Sequence, residues 1–150
     1  MTTKTRSLRA HSFKRFCMHR GFLIAGSIFA GLAVALGAFG AHSLKRILTA
    51  DLLITFETAV RYQVYHAFAL IVAGILYQRY PGKFTKWAGY CFAGGIILFS
   101  GSLYVLCWLR VQHAIGTYSI GVLTPVGGLF FLAGWGMLAG GVSQKRMAIK

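Results

Sequence analysis

Four long stretches without a charged side chain constrain what this chain can fold into. They cover 21–44, 62–78, 87–109 and 120–142. The hydrocarbon core of a bilayer is about 30 Å thick, and a helix needs about 20 mainly apolar residues to cross it. Only 12% of the residues are charged, against about a quarter in soluble domains. The sequence therefore predicts an all-α membrane protein, a single four-transmembrane-helix bundle.

The first stretch carries small residues on two stripes of its predicted helix, which follow from a rotation of about 100° per residue. One stripe consists of Gly26, Ala30, Ala33, Gly37 and Gly40, and the other of Ser27, Gly31, Val34 and Ala38. Helices in lipid associate by close packing of small residues. We therefore expect Gly26, Gly31, Gly37 and Gly40 to be packing positions. We also expect the other helices to pack around helix one.

The second stretch, 62–78, has 17 residues and is slightly short for a bilayer at about 1.5 Å per residue. The shortfall disappears if the helix begins near Ala50, because Thr49 suits an N-cap and Asp51 suits the first turn. We therefore predict an amphipathic interfacial helix between helices one and two, which continues into the bilayer as helix two.

Helices three and four complete the bundle. Trp87 and Trp108 stand at the two ends of the third stretch, where aromatic belts are expected. Gly136 and Gly140 in the fourth form a GxxxG packing motif. The predicted transmembrane domain covers 21–142, with helices at about 21–42, 62–78, 87–109 and 120–142. Basic tails flank it at 1–20 and 143–150.

The distribution of Lys and Arg predicts the orientation. With the N-terminus inside, the inner segments carry 12 basic residues and the outer connections carry four. Cytoplasmic segments of membrane proteins are rich in Lys and Arg, so both termini are expected to be cytoplasmic. The net charge of +14 then reflects topology and contact with the lipid bilayer and its anionic head groups. The basic residues form no face with interleaved aromatics, which argues against a nucleic-acid partner.

Polar residues concentrate toward the predicted outer side of the bundle, where ionisable groups tend to face a bundle interior or a wet cavity. They are His42, Glu57, Arg61, Tyr62, Gln63, His66, Ser100, Ser102 and Thr124, with His113 in the outer turn. We therefore predict an outward-facing pocket lined by His42, His66, Tyr62 and Glu57.

Each of these residues also has a purely structural alternative. His42 can satisfy the last carbonyls of helix one, and His66 can be a packed histidine bonded to a neighbouring helix. Serine and threonine in helices commonly bond back to their own carbonyls. The histidines are too few and too scattered to predict a metal site. No serine has a base at motif spacing, so we predict no catalytic residue and no cofactor.

Four motifs resemble one known family. In chain order they are GLAVALGAFGAHSLK, FETAVRYQVYHAFAL, LFSGSLYVL and TPVGGLFFLAGW. Together they resemble the YgdD-like family of small bacterial inner-membrane proteins, a domain of unknown function. The resemblance covers roughly 21–138 and implies a small multi-pass protein of the bacterial inner (plasma) membrane, without an established activity. Within these motifs lie His42, Tyr62, Gln63, His66, Pro125, Gly127 and Gly128, whereas His113 belongs to none.

Three functions are compatible with these features. The first is a non-enzymatic accessory or scaffolding component of the membrane, whose glycine-rich faces pack in a homo-oligomer or against another membrane protein. The second is a small transporter or proton-coupled carrier that uses His42, Glu57 and His66. The third is a membrane enzyme or a lipid-binding protein. The sequence favours the first, because it contains no recognisable catalytic site.

Overall fold

The computed structural model describes residues 18–112 and 121–144. The helices are α1 (Arg20–His42), a 3-10 turn (Leu44–Arg46), α2 (Ala50–Arg79), α3 (Lys83–Gly95), a π-helical segment (Ile96–Ser100), α4 (Gly101–Val111) and α5 (Leu123–Ser143). The described residues contain no strand. Most of the predicted basic tails and His113 lie outside them.

Among the described residues, four helices are long and apolar enough to cross a membrane. Because α3, the π-helical segment and α4 follow one another without a break, they form the third of these, 29 residues long. The predicted all-α architecture of four spans is confirmed. The predicted interfacial section forms the first turns of α2, whose 30 residues extend about 45 Å at 1.5 Å per residue.

Local sequence explains where these helices begin. Thr49 is extended just before α2, and Asp51 lies in its first turn, where a carboxylate favours the positive end of the helix dipole. At the start of α1, His19 is the N-cap, and its Nδ1 accepts a hydrogen bond from the backbone N–H of Phe22 at 3.3 Å. The side chain of His19 therefore caps α1, whereas Thr49 is the N-cap of α2 by position and makes no hydrogen bond with its side chain there.

The centre of the bundle is α2 and not α1, so the prediction that the other helices pack around helix one is wrong. Nine residues of α2 are buried, against four of α1. The buried residues of α1 (Phe22, Gly26, Ala33 and Gly40) lie on one face, which packs against α2. The second small stripe of α1 is exposed along its length. Small residues permit close contact, but they do not require a neighbour on every side.

The glycines predicted as packing positions on α1 differ in how closely they approach α2. A Cβ on Gly26 would lie 2.6 Å from Cγ1 of Ile71, and one on Gly40 would lie 3.0 Å from the Phe56 ring. A Cβ on Gly37 would make an ordinary contact with Val60 at 3.4 Å. Gly31 faces open space within the described part of the chain. Close packing of α1 on α2 therefore depends on Gly26 and Gly40.

Helix α5 packs through a different row of glycines from the predicted GxxxG pair. A Cβ on Gly136 would meet no described atom within 4 Å, and one on Gly140 would reach only Phe84, at 3.8 Å. Gly136 is therefore not an interhelical contact among the described residues. The buried residues of α5 recur at alternating spacings of four and three and are Gly127, Phe131, Gly134, Leu138 and Gly141. This spacing produces a continuous seam, as in coiled coils.

The closest approach of two backbones along this seam occurs at Gly127. A Cβ there would clash with the backbone N and Cα of Phe99, in the π-helical segment. A π-helical turn widens the helix locally, and such turns are frequent at functional sites. Here the widened turn packs against both α2 and α5. It therefore brings the third span into contact with both neighbours.

Candidate functional site

The nine residues of the predicted outward-facing pocket fall into an exposed group and a buried group. His42, Glu57 and Arg61 are exposed, and the ring of Tyr62 is partly exposed. Four others are buried, namely Gln63, His66, Ser100 and Ser102, and Thr124 is half-buried. The structure therefore brings the buried group into the interior of the bundle and leaves the exposed group outside it.

Gln63 joins three helices through its amide. Its Nε2 donates to the backbone carbonyl of Phe29 in α1 at 2.9 Å. Its Oε1 accepts from the hydroxyl of Tyr104 in α4 at 3.0 Å. The carbonyl of an interior helical residue already accepts its own helical bond, so Gln63 uses the second lone pair. This contact anchors the peripheral α1 to the centre of the bundle.

Ser100 closes the π-helical segment with a bond to α2. Its side chain is fully buried, and its Oγ donates to the carbonyl of Ala59 at 2.8 Å. The structural alternative for this serine was a bond to its own helix, and the observed bond instead crosses to a neighbouring helix. A hydroxyl inside a bilayer needs such a partner because there is no water to replace it.

Ser102 and Thr124 bond each other across α4 and α5. Their hydroxyl oxygens lie 2.8 Å apart, and Ser102 Oγ also donates to the carbonyl of Phe99 at 2.9 Å. Because that proton is used within its own helix, Thr124 is the donor to Ser102. The pair fixes the start of α5 to the third span.

His66 uses both ring nitrogens in hydrogen bonds. Its Nδ1 lies 2.8 Å from the carbonyl of Tyr62, and its Nε2 lies 3.3 Å from the indole nitrogen of Trp135 in α5. A carbonyl accepts and an indole N–H donates, so Nδ1 carries the proton and Nε2 is the acceptor. The ring is therefore the neutral Nδ1–H tautomer, held at both nitrogens.

Aromatic rings enclose the imidazole of His66. It stacks on Phe131 with centroids 3.4 Å apart and planes 9° from parallel. Tyr62, Phe92 and Trp135 lie around it at centroid distances of 6.0–6.3 Å. The position of His66 thus matches the alternative of a packed histidine bonded to a neighbouring helix.

Two members of this arrangement were not among the predicted site residues. The hydroxyl of Tyr104 donates a hydrogen bond to Gln63, and the indole N–H of Trp135 donates one to His66. Trp135 was identifiable in principle, since it lies in the middle of a charge-free stretch, far from the interfaces that tryptophan prefers. An indole N–H at that depth needs an acceptor on another helix.

The buried polar side chains of the described residues take part in hydrogen bonds. Among the residues that the structure describes, no buried side-chain nitrogen or oxygen lacks a hydrogen-bond partner. The same residues contain no group of three or more His, Cys, Asp or Glu side chains that could hold a metal ion. The arrangement can therefore join helices through hydrogen bonds.

Comparison with known proteins identifies relatives across most of the chain. Residues 36–128 match the family described as "Protein of unknown function (DUF423)". The UPF0382 membrane protein SSP2132 of Staphylococcus saprophyticus is 40% identical over 117 residues, which are 78% of this chain and 92% of that protein. The UPF0382 membrane protein YwdK of Bacillus subtilis is 40% identical over 118 residues, 78% of this chain and 91% of the relative.

A relative from Escherichia coli K12 extends further along the chain. It is the UPF0382 inner membrane protein YgdD, 37% identical over 131 residues, which are 87% of this chain and 95% of that protein. No solved structure matches this chain. The match to the family and these three relatives agree with the resemblance carried by the four sequence motifs. The chain belongs to the DUF423 family of UPF0382 membrane proteins, whose function is unknown.

Proposed function

We propose that this membrane protein is a non-enzymatic accessory or scaffolding component of the bacterial inner membrane. The observation that carries the proposal is that every buried side-chain nitrogen and oxygen of the described residues has a hydrogen-bond partner. Gln63, His66 and Ser100 each bond another helix, so their hydrogen-bonding capacity stabilises the bundle. In a catalyst or carrier, we would expect such side chains to face a substrate site and not a neighbouring helix.

The exposed glycines of the bundle suit contact with another protein. Gly31 on α1 and Gly136 on α5 both face open space within the described residues. Small residues on a lipid-facing surface let a second backbone approach closely. Such a neighbour would be another membrane protein or a second copy of this chain.

Both termini are proposed to be cytoplasmic, with the basic ends of the chain at the inner membrane surface. The support is the count of 12 Lys and Arg residues in the inner segments against four in the outer ones. Exposed Arg20, Arg79, Lys83 and Lys86 would then contact anionic head groups, each with about 1 kcal/mol of favourable interaction.

Photo-crosslinking from native membranes tests the accessory role. A photoreactive residue at position 31 is expected to give one discrete crosslinked protein, because the small stripe admits a close neighbour. The control is position 32, which is also exposed but carries the bulky Leu32, and it should give lipid adducts only. Adducts to lipid alone from both positions would contradict the proposal.

Thiol labelling separates the scaffold from the carrier alternative. In a cysteine-free background, we expect a cysteine at position 42 to react with an impermeant reagent added from outside. A cysteine at position 66 should be protected, because His66 is only 6% exposed. Reaction at both positions would favour an outward-facing pocket and the carrier.

A further inference from the structure

An open groove of about 370 Å³ lies beside the last turns of α2. Ile75, Leu76, Gln78 and Arg79 line it, and its surface is almost entirely apolar. Arg79 is the last residue of the helix and is exposed. An apolar wall therefore lies next to a cationic residue at the end of a transmembrane helix. We call this feature the Arg79 groove.

The charge around the Arg79 groove is positive without an acidic competitor. The contact between His19 N and the carbonyl of Gly74 places the start of α1 beside this end of α2. Arg20 and Lys83 are exposed at the ends of the neighbouring helices. The only acidic side chains of the whole chain are Asp51 and Glu57. Glu57 precedes Arg79 by 22 residues, about 33 Å along the helix.

Aromatic side chains mark the level of the lipid head groups at the same end. Trp87 and Tyr90 are about half exposed near the start of α3, and Lys86 Nζ lies 5.9 Å from the Tyr90 ring centroid. Amphipathic rings of this kind sit at the boundary between acyl chains and head groups. The Arg79 groove therefore runs from the hydrocarbon region, at Ile75, to the head-group region, at Arg79.

We propose that the Arg79 groove binds one anionic phospholipid. An acyl chain lies along Ile75 and Leu76, and the phosphodiester accepts hydrogen bonds from the Arg79 guanidinium, whose fork of donors matches phosphate oxygens. The proposal rests on the part of the proposed function that assigns anionic head groups to the basic ends, and it adds a defined site. It is independent of the accessory role.

Arg79 also has a simpler role, because a cation in the last turn of a helix favours the helix dipole. That role requires no lipid and does not depend on the shape of the groove. The two roles are separated by measuring bound lipid and by blocking the apolar wall while Arg79 is kept.

Native mass spectrometry of the full-length chain in detergent tests the site, with phosphatidylglycerol and phosphatidylcholine added separately. We expect one phosphatidylglycerol to be retained in preference to phosphatidylcholine. Arg79→Gln should weaken its binding about fivefold, which corresponds to about 1 kcal/mol. Lys86→Gln removes the same charge at the same end but outside the groove, so it should weaken binding of this one lipid clearly less than Arg79→Gln does. Ile75→Trp, which fills the groove, should reduce binding while Arg79 is intact.

Three other results of this experiment would contradict the proposed lipid site. Equal losses in Arg79→Gln and Lys86→Gln would show diffuse attraction, which overturns the groove and leaves the head-group contacts of the proposed function intact. Wild-type binding in Ile75→Trp would overturn it too, even if Arg79→Gln failed to fold. Equal retention of the two lipids by the wild type would contradict both the site and the head-group contacts. The accessory role is decided separately, by the crosslinking at position 31.

Discussion

Single polar side chains hold this bundle together at positions where lipid offers no substitute partner. Such bonds join helices from Gln63 to α1, from Ser100 to α2 and from Trp135 to His66. Bonds of this kind between membrane helices average about 0.6 kcal/mol and reach about 1.7 kcal/mol. Individually they are modest, so their contribution is best measured by removing both partners of one bond.

Replacement of Gln63 tests the junction of three helices. We expect Gln63→Leu to lower the free energy of unfolding by about 1–2 kcal/mol, because it removes two hydrogen bonds and leaves the Tyr104 hydroxyl without an acceptor. Tyr104→Phe should be destabilising in the wild type and nearly neutral in the Gln63→Leu background. The measurement is a double-mutant cycle from unfolding in mixed detergent micelles.

Gln112→Leu is the matched control, since that glutamine is exposed at the end of α4. It should leave the stability nearly unchanged. Additive effects of Gln63→Leu and Tyr104→Phe would show that the two side chains do not interact in the membrane protein.

The rings of His19 and His66 should adopt opposite tautomers. His66 donates from Nδ1 to the carbonyl of Tyr62, whereas Nδ1 of His19 accepts from the N–H of Phe22. In ¹⁵N NMR spectra of the neutral rings, we expect a protonated Nδ1 for His66 and a protonated Nε2 for His19. Trp135→Phe should shift the Nε2 resonance of His66 and leave that of His19 unchanged. A protonated Nε2 on His66 would contradict the bond from Trp135.

At the scale of helices, the glycines of α5 differ in how closely they pack against the third span. Gly127 and Gly128 are adjacent, yet a Cβ on Gly127 would clash with the backbone of Phe99 while one on Gly128 would meet no described atom within 4 Å. The clash involves backbone and not a flexible side chain. The third span would therefore have to move before a larger residue could fit at Gly127.

Alanine at these two glycines gives a matched prediction. Gly127→Ala should destabilise the bundle by about 1–3 kcal/mol, the usual cost of overpacking. Gly128→Ala should be neutral or stabilising by up to about 1 kcal/mol, because alanine has the higher helix propensity. Thermal unfolding in detergent, followed by circular dichroism, measures both. Equal effects of the two substitutions would show that α5 does not pack against the π-helical segment through Gly127.

The sequence predicted the spans better than it predicted which sides of them meet. Charge-free runs identified all four helices, and the first stripe of α1, with Gly26 and Gly40, does face α2. The second stripe also consists mainly of small residues but faces outward, because residue size does not reveal where a neighbour lies. The π-helical segment left no signal in the sequence, since it depends on contacts with α2 and α5.

The pocket stays a prediction, and its residues differ in burial for a related geometric reason. His42, Glu57 and His66 were grouped by their depth in the membrane, without regard to the direction in which each points. Glu57 and Gln63 are six residues apart, a rotation of about 240°, so the exposure of one and the burial of the other are compatible with a regular helix. The buried Ala59, Gln63, His66 and Leu70 repeat at spacings of four and three, which is the pattern that indicates the packed face.

At the scale of the whole molecule, two features set how the bundle sits in the membrane. The helices fix which connections share a side, because each successive span crosses the bilayer in the opposite direction. The connection between α1 and α2 and the connection between α2 and α3 must therefore lie on opposite sides. The charge bias decides which of these sides is cytoplasmic, and it predicts an inner location for the α2–α3 connection, which lies between Arg79 and Lys83.

Cysteine labelling in intact cells tests this orientation. In a background with the three native cysteines replaced, Ile47→Cys and Gly82→Cys place exposed thiols in the two connections. We expect an impermeant reagent to label position 47 and not position 82, because 12 of the 16 basic residues favour the side of position 82. Permeabilised cells are the control and should show labelling at both positions. Labelling at 82 alone would invert the orientation, and labelling at both in intact cells would contradict a bilayer-spanning α2.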